Sequence, residues 1–393
     1  MSAPAATPPF FAIACGGTGG HLFPGLAVAR ELQRRHCRVA LLVSPKDVDR
    51  EAAQSAEQME ILTLPAVGLQ RRNYLRFASG FWKSYSAARK IFRARRPAAA
   101  LSMGGFTGAP PVLAAKRAGA ATFLHESNSV PGRANRLLAR FVDKAFVGFS
   151  GASQRLNARS VSVTGTPVRP EFFRLKAAEC RAALGLALDR PVILVMGGSQ
   201  GARGINDLIP AAMPFFAGKN WQWLHLTGAQ DCDRVKAAYA RCGTTAIVRP
   251  FLAEMDRALG AATAAVSRAG ASSLAEIAAA RLPSLLIPFP AAADNHQLFN
   301  ALAFEKTGAA RCLDQKEAAP EKVAAILAEL VDKEPARREI QKALARWDAP
   351  GAAEQIAANM LEVLAARGAA GHEKLEESRR SHASGGPGSA ATN

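Results

Sequence analysis

Short runs of apolar and β-branched residues alternate with Ala-, Leu- and Arg-rich helical segments along most of this 393-residue chain. Such alternation predicts parallel, doubly wound sheets, because each helix returns the chain to the start of the next strand. Seven strands are predicted at 10–15, 38–43, 60–64, 98–103, 121–125, 144–149 and 160–165. Five more are predicted at 191–198, 221–228, 245–251, 264–270 and 284–290. The fold class is therefore α/β, with one Rossmann-like sheet in each half.

The length suits two domains of about 150–200 residues. The segment 165–170, GTPVRP, contains two prolines and is a natural junction. We expect an N-terminal domain at 1–165, a C-terminal domain at 166–348, and a helix at 349–366 that packs back on the N-terminal domain. The Gly-, Ser- and charge-rich segment 367–393 predicts a disordered tail.

Six scattered cysteines without Cys-x-x-Cys spacing argue against a zinc site or a disulfide framework. The N-terminus has no basic region ahead of its short apolar run, and no stretch of about 18 apolar residues is present, so we expect neither a signal peptide nor a membrane span.

Charge is distributed unevenly between the two halves. Residues 1–165 hold 23 Lys or Arg and 8 Asp or Glu, whereas residues 166–393 hold 27 and 24. The net charges are +15 and +3, which together give the net charge of +18. An anionic partner of the N-terminal half is therefore expected: nucleic acid, a membrane surface or a phosphorylated substrate.

Two glycine-rich turns follow the first strand of each half: GGTGGH at 16–21 and GGSQGAR at 197–203. Glycines at the carboxyl end of a parallel strand let the backbone present N–H groups to phosphate or sugar oxygens. Neither turn matches the dinucleotide or Walker A pattern. A third turn at 268–273 offers Ser272 or Ser273 as the N-cap of a following helix.

Seven sequence blocks spread over residues 16–301 resemble the MurG family of N-acetylglucosaminyltransferases. They are GGTGGHLFPGLAVAREL (16–32), MGGFTGAP (103–110), HESNSVPGRANRLLA (125–139), GTPVR (165–169), GGSQGARGIN (197–206), AGASSLAEIAAARLPSLLIPF (269–289) and DNHQLFNA (294–301). The resemblance implies a GT-B fold, in which a cleft separates two Rossmann-like domains. It also implies inverting transfer of GlcNAc from UDP-GlcNAc to the 4-hydroxyl of MurNAc in undecaprenyl-linked lipid I.

The resemblance implies a role for single residues too. Expected substrate-binding residues are Thr18, Gly19, Gly20, Asn128, Arg169, Ser199, Leu252, Ala271, Ser272, Ser273, Leu274, Glu276 and Gln297. Among these, Arg169 would neutralise the leaving diphosphate, the backbone of Leu252 would hold uracil, and Glu276 would bind the ribose. Phe106 stands where a tyrosine can occur in the family, so no hydroxyl role is carried over there. No Asp-x-Asp motif is present, and we expect no cofactor and no obligatory metal.

The catalytic base has two candidates. His21 lies where the first glycine-rich loop meets a helix N-terminus, which favours the neutral imidazole that a base requires. A histidine there could instead bind the acceptor diphosphate or cap the loop. Glu126, in the turn after the fifth strand, is the alternative base or a residue that orients it.

Residues 68–96 contain nine Lys or Arg and no acid, interleaved with aromatic residues. This pattern is typical of a helix at an anionic lipid interface, and part of its apolar stripe must also pack on the sheet. The expected membrane residues are Tyr74, Leu75, Phe77, Phe81 and Trp82. Together with this pattern, the family resemblance implies a peripheral protein on the cytoplasmic face of the bacterial inner membrane, with other cell-wall synthesis proteins as possible partners.

Other functions compete with this one. A nucleic-acid-binding protein would explain the sequence pI of about 10.2, but it lacks a recognition motif and leaves both glycine-rich loops unexplained, so no nucleic acid is expected. A GT-B enzyme with another sugar or lipid, or a UDP-GlcNAc 2-epimerase, is the nearer alternative.

Overall fold

The computed structural model describes residues 7–16, 19–45, 59–65, 74–198 and 200–383. Its first sheet has seven parallel strands in the order β3-β2-β1-β4-β5-β6-β7. They are β1 Phe10–Ala14, β2 Arg38–Val43, β3 Glu60–Thr63, β4 Ala99–Ser102, β5 Ala121–Glu126, β6 Lys144–Val147 and β7 Val161–Val163. The central strands are buried on both faces, which is why they have continuous apolar sequences.

The second sheet has six parallel strands in the order β10-β9-β8-β11-β12-β13. They are β8 Val192–Met196, β9 Gln222–Leu226, β10 Ala246–Arg249, β11 Ala264–Ser267, β12 Ser284–Leu286 and β13 Arg311–Cys312. Both sheets repeat one winding order outward from their first strand, which confirms the predicted pair of doubly wound sheets. The two-residue strand β13 was missed because no pattern can show in so short a segment.

The helices of the first domain lie on both faces of its sheet. They are α1 Gly19–Arg34, α2 Tyr74–Ala94, α3 Ala109–Arg117, α4 Arg133–Leu138 and α5 Ser150–Ser153. A 3-10 turn at Ala139–Phe141 extends α4. Helices α2 and α3 pack against each other, whereas α1 packs against the last helix of the chain.

The second domain begins with a 3-10 turn at Pro170–Phe173 and has two more, at Met213–Phe216 and Ala293–Asn295. Its helices are α6 Ala177–Leu184, α7 Arg203–Ala211, α8 Cys232–Arg241, α9 Met255–Ala261, α10 Ala271–Ala279, α11 His296–Lys306, α12 Pro320–Asp332 and α13 Glu334–Leu344. The final helix, α14 Ala352–Ala383, leaves this domain.

Helix α14 completes the core of the first domain. Ile356, Ala357 and Met360 are fully buried in one cluster with Phe11 and Leu22. Burying an Ile or Met side chain contributes about 1.5–3 kcal/mol, so this contact fixes the helix firmly. The helix runs on to Ala383, past residue 367 where the sequence led us to expect disorder. Residues 367–383 are rich in Ala, Glu, Lys and Arg, which favour helix and extend it.

The chain crosses between the domains twice, and the two crossovers touch. Gly165 has a φ of 80°, and a Cβ atom added to it would lie 2.4 Å from Ala349 Cβ. Next to this contact, Phe149 of the first domain packs against two aromatic residues of the second. Its ring centroid lies 5.2 Å from that of Trp347 and 6.1 Å from that of Phe304. The crossovers therefore form one closely packed connection.

Candidate functional site

The imidazole of His21 lies on the turn that follows β4. His21 belongs to the first turn of α1, directly after the first glycine-rich loop. Gly104 and Gly105 adopt φ of 110° and 73°, in the left-handed region. A Cβ atom on Gly105 would lie 3.1 Å from His21 Cε1, and one on Gly104 would lie 3.3 Å from Nε2. Glycine is therefore needed at both positions, for the backbone and for the close approach of the ring.

Glu126 organises the loop after β5. This residue is 2% exposed. Its Oε1 accepts hydrogen bonds from the backbone N and Nδ2 of Asn128, at 2.8 and 3.0 Å. Its Oε2 accepts from Gly132 N at 2.9 Å and Asn135 Nδ2 at 2.7 Å. Four donors, three from the loop and one from the first turn of α4, occupy this carboxylate. The geometry therefore argues against Glu126 as the base and indicates that it holds Asn128 in place.

His125 ties the same strand to the first crossover. Its Nε2 lies 3.0 Å from the carbonyl oxygen of Gly165, and its Nδ1 lies 3.2 Å from Ser127 Oγ. A neutral ring satisfies both contacts by donating from Nε2 and accepting at Nδ1. Burial lowers the pKa of His125, which favours this neutral form.

The third glycine-containing turn meets the first across the cleft. The N-cap of α10 is Gly270, and neither serine caps the helix, contrary to the expectation from sequence. The helix begins at Ala271, so Ser272 lies inside its first turn and is free to reach outward. Its Oγ donates a 2.7 Å hydrogen bond to the carbonyl oxygen of Gly20. This contact joins the predicted acceptor loop to the predicted donor loop.

Asn300 forms a second bridge between the domains. It is fully buried on α11. Its Oδ1 accepts from Ser129 N at 2.9 Å, and its Nδ2 donates to Asn128 Oδ1 and to the carbonyl oxygen of Ala269, both at 3.1 Å. Sequence reasoning named the block that contains Asn300 but not the residue. Its spacing of three from Gln297 was the available signal, since residues three apart share a helix face.

Ion pairs at the rim of the cleft add to these bridges. Arg133 donates to Asp294 from Nε at 3.2 Å and from NH2 at 2.7 Å. Arg136 NH2 lies 3.4 Å from the same carboxylate. The arginine side chains are largely exposed, so each pair contributes little stability, roughly 0–1 kcal/mol.

Arg169 and Glu276 place opposite charges beside the cleft. The Arg169 guanidinium lies between the rings of Phe23 and Phe172, 4.5 and 5.0 Å from their centroids. Its Nε is buried without a hydrogen-bond partner among the described residues. Burial raises the pKa of Glu276 to about 7; the Arg169 charge opposes this rise and Asp256 adds to it. The unmet donor on Arg169 and the poorly solvated carboxylate on Glu276 are both arranged to take a polar ligand.

Gln297 joins two loops beside Glu276's helix. Its Oε1 accepts from Ala269 N at 3.2 Å and from Phe289 N at 3.0 Å. The carbonyl end of this amide is therefore engaged with protein, which leaves the NH2 group as the end for a sugar hydroxyl.

The remaining predicted donor residues lie near the start of α10 or at the end of β10. Ala271 and Leu274 are buried and Ser273 is half-buried. Leu252 is also buried, in the loop after β10. Thr18 and Ser199 lie outside the described residues, whereas Gly19 and Gly20 open α1. Among the described residues, no group of three His, Cys, Asp or Glu could hold a metal ion.

The predicted membrane residues divide into two groups. Leu75 is 87% exposed and Trp82 is 66% exposed. Phe77 and Phe81 are half-buried and line a small cavity against the turn 106–110. They lie on the α2 face that buries Ala88 and Phe92, because the helical repeat places residues 77, 81, 88 and 92 on one side. The side chain of Tyr74 lies outside the description. No described helix has the length and apolar character needed to span a bilayer.

Two protein-family models match this chain, one in each half. Residues 11–147 match the glycosyltransferase family 28 N-terminal domain. Residues 192–356 match the glycosyltransferase family 28 C-terminal domain. The second match covers the whole of the second sheet, and the first covers the first sheet except for Phe10 and strand β7.

Two relatives carry the same name, UDP-N-acetylglucosamine--N-acetylmuramyl-(pentapeptide) pyrophosphoryl-undecaprenol N-acetylglucosamine transferase. The one from Syntrophus aciditrophicus is 38% identical over 319 residues, which cover 79% of this chain and 87% of the relative. The one from Listeria monocytogenes is 32% identical over 363 residues, which cover 90% of this chain and 99% of the relative.

Solved structures agree on the architecture. The crystal structure of Acinetobacter baumannii MurG superposes with a TM-score of 0.70 at 25% identity, covering 90% of this chain and all of that one. The crystal structure of a putative UDP-N-acetylglucosamine 2-epimerase from Listeria monocytogenes superposes with a TM-score of 0.67 at 12% identity, covering 89% of this chain and 94% of that one. The second similarity shows the fold alone.

Proposed function

The chain belongs to the MurG family of N-acetylglucosaminyltransferases, within glycosyltransferase family 28, and on that premise we propose that it converts lipid I to lipid II. The donor is UDP-GlcNAc and the acceptor is undecaprenyl-diphospho-MurNAc-pentapeptide, a precursor of peptidoglycan. One observation carries this proposal beyond the family. The predicted acceptor and donor loops meet where Ser272 donates to Gly20, with His21 on one side and Glu276 on the other.

His21 acts as the base in this proposal. It takes the proton from the 4-hydroxyl of MurNAc as that oxygen attacks C1 of GlcNAc. The bond between C1 and the diphosphate oxygen breaks, UDP keeps the electron pair, and the configuration at C1 inverts. The platform of Gly104 and Gly105 fixes the ring, and the N-terminus of α1 favours its neutral form. With Glu126 occupied by its own loop, His21 is the described candidate that remains.

The donor binds mainly on the second domain. Backbone N–H groups of residues 271–273, at the start of α10, face the diphosphate, whereas Leu274 N already donates to the carbonyl oxygen of Gly270 at 2.9 Å. Arg169 offers its unmet Nε to the same charge. Negative charge grows on UDP as it departs, so these groups stabilise the transition state more than the ground state.

The sugars of the donor have their own ligands. Glu276 accepts hydrogen bonds from both ribose hydroxyls, and the backbone of Leu252 holds uracil. Asn128 and the NH2 group of Gln297 bind the GlcNAc from opposite sides of the cleft, supported by the Asn300 bridge. Thr18 and Ser199 complete the two glycine-rich loops. The reaction needs no metal in this scheme, because helix N-termini and Arg169 balance the charge of UDP.

The undecaprenyl tail of the acceptor is embedded in a bilayer, so the enzyme must reach the membrane surface to bind it. The exposed Leu75 and Trp82, on an acid-free basic helix, support peripheral binding to the anionic cytoplasmic leaflet. Other cell-wall synthesis proteins would meet it at that surface.

Release of UDP tests the proposed reaction. Purified full-length enzyme is incubated with UDP-GlcNAc, with lipid I, and with both, and UDP and the sugars are quantified. We expect UDP only when both substrates are present, in amounts equal to the GlcNAc added to lipid I. Formation of UDP-N-acetylmannosamine, or equal UDP release without lipid I, would contradict the proposal.

A further inference from the structure

Phe23 joins the first glycine-rich loop to Arg169 of the second domain. It lies on α1, four residues after Gly19, and it is half-buried. A Cβ atom added to Gly19 would lie 3.4 Å from Phe23 Cε2, so the ring packs on the backbone of this loop. The Arg169 guanidinium lies over the same ring, 4.5 Å from its centroid. One aromatic side chain therefore contacts the predicted acceptor loop and a predicted donor residue.

The contact is part of a longer seam between α1 and the second domain. Arg30 lies seven residues after Phe23, so both side chains are on one side of the helix. Arg30 NH1 lies 3.3 Å from Glu171 Oε1, two residues after Arg169. Helix α10 contacts both α1 and the turn 170–173. Helix α1 thus lies along the first segment of the second domain, and Phe23 is at the end of the seam nearest the cleft.

Aromatic rings flank the charge of Arg169. Its guanidinium lies 5.0 Å from the ring centroid of Phe172 as well as over Phe23, and its Nε is buried without a hydrogen-bond partner among the described residues. The Arg169 charge opposes the rise in the pKa of Glu276 on α10. The guanidinium is therefore close to the helix whose first residues face the diphosphate in the proposed reaction.

We propose that Phe23 is a positioning residue for the departure of UDP: its ring holds the Arg169 guanidinium beside the start of α10, where Arg169 donates to the diphosphate. A guanidinium that stacks on a ring uses its flat side, which leaves the N–H groups at its edge for phosphate oxygens. A donor that is already in place needs no reorganisation as charge grows on the leaving group. The inference rests on the role of Arg169 in the proposed function and adds a residue of the first domain to it.

Phe23 makes the donor site depend on both domains. Phe172 belongs to the same domain as Arg169 and is buried there. Phe23 comes from the other domain, so its contact with the guanidinium forms only when α1 lies against residues 169–172. The leaving diphosphate is thus stabilised fully only when the domain that carries His21 is in place.

F23L and F23Y test whether the ring is needed. Leu keeps an apolar side chain without a ring, whereas Tyr keeps the ring and adds a hydroxyl at a half-buried position. With both substrates, we expect F23L to lower kcat about tenfold, the scale of one cation–π contact, and to leave the KM for lipid I unchanged. We expect F23Y to keep the kcat of the wild type. Wild-type kcat in F23L, or equal losses in F23L and F23Y, would overturn the proposal.

Binding of UDP and of uridine separates the diphosphate from the rest of the donor. By calorimetry, we expect F23L to bind UDP about tenfold more weakly than the wild type and to bind uridine, which has no diphosphate, equally well. Equal losses for both ligands would show general damage to the second domain and would overturn the positioning role.

A double-mutant cycle with R169A tests whether Phe23 acts through Arg169. If it does, F23L should cause no further loss of UDP affinity or of kcat in R169A. Losses that multiply would overturn the proposal. A wild type that neither binds UDP nor transfers GlcNAc would overturn the proposed function and this inference together. A wild type that transfers GlcNAc, matched by F23L, would overturn the role of Phe23 alone.

Discussion

The two domains share a winding order but not a charge. The order β3-β2-β1-β4-β5-β6 of the first sheet is repeated as β10-β9-β8-β11-β12-β13 in the second. Residues 1–165 nevertheless carry a net charge of +15, and residues 166–393 carry +3. Since one architecture forms with both compositions, folding does not require the basic surplus. The surplus of basic residues instead indicates that the first domain binds an anionic partner.

The way basic residues are paired sharpens this contrast. In the second domain, Arg311 contacts Glu329 and Lys219 contacts Asp332, both at 2.6 Å. On the α2–α3 face of the first domain, no such pair is found among the described residues for Arg89, Arg93, Arg96 and Arg117. Charge in the second domain is thus largely balanced within the chain, whereas on this face of the first it is left for a partner.

The strongest test of this division of labour is His21→Ala. We expect kcat with lipid I to fall by about 10²–10⁴-fold, because a positioned base contributes on that order. Binding of UDP-GlcNAc, measured by thermal protection, should change little, because the donor groups lie on the other domain. Near-normal turnover would exclude His21 as the base. Loss of donor protection would contradict the separation of roles.

Gly165→Ala tests the contact between the two crossovers. The new Cβ would lie 2.4 Å from Ala349 Cβ on a backbone with a φ of 80°. Gly185→Ala is the matched control, because Gly185 has a φ of 72° and nothing within 4 Å of its added Cβ. Left-handed backbone alone costs an alanine roughly 1–2 kcal/mol. We expect Gly165→Ala to lower Tm by several degrees more than Gly185→Ala. Equal Tm values would show that the crossovers separate easily.

Most of the fold could be predicted because alternation is a local property. Strand β2 has the bounds that its sequence suggested, and the other predicted strands differ by a few residues at their ends. Strand β13 and the continuation of α14 beyond residue 367 were missed. The first is too short to show a pattern, and the second has a composition that serves both helix and disorder.

The site could be predicted only as far as its loops. Glycine-rich turns at strand ends located the cleft, and the family resemblance named residues within it. The role of Glu126 depends on four donors from the loop and the start of α4, two of them backbone N–H groups. Ser272 hydrogen-bonds a partner 252 positions away. Such contacts arise from tertiary geometry, which no spacing rule contains.

Trp82→Asp tests the apolar end of the basic helix against an exposed apolar side chain of the second domain. Trp82 is 66% exposed and Leu188 is 58% exposed, so both substitutions should leave the fold intact. We expect Trp82→Asp to weaken binding to anionic vesicles about tenfold and Leu188→Asp to have no effect, because only the first lies on the proposed docking face. Equal vesicle binding by the two variants would contradict the proposal that only the first domain docks on the membrane.

Glu276→Gln tests the buried carboxyl group of the second domain. Burial raises the pKa of Glu276 from its ordinary value of 4.5 to about 7. Between these two pH values the carboxyl group is protonated in the folded protein and ionised in the unfolded chain. The stability from that proton is complete at low pH and is lost as pH rises through 7. We expect unliganded Glu276→Gln to melt a few degrees above the wild type at pH 8, with the gap closing towards pH 5. An equal gap at both values would contradict the raised pKa.

The same substitution should weaken UDP-GlcNAc binding. A neutral amide has one oxygen to accept from two ribose hydroxyls, where the carboxylate has two. The variant would then be more stable and a poorer binder. Unchanged donor affinity would remove Glu276 as the ribose ligand.

The burial of Ile356, Ala357 and Met360 against α1 and β1 has a consequence for biosynthesis. The second domain is in effect an insertion between β7 and α14, so the first domain cannot cover one face of its core until nearly the whole chain has left the ribosome. A nascent chain that stops before residue 352 would carry an open apolar surface and need a chaperone. Premature termination late in the message should therefore be as damaging to solubility as an early one.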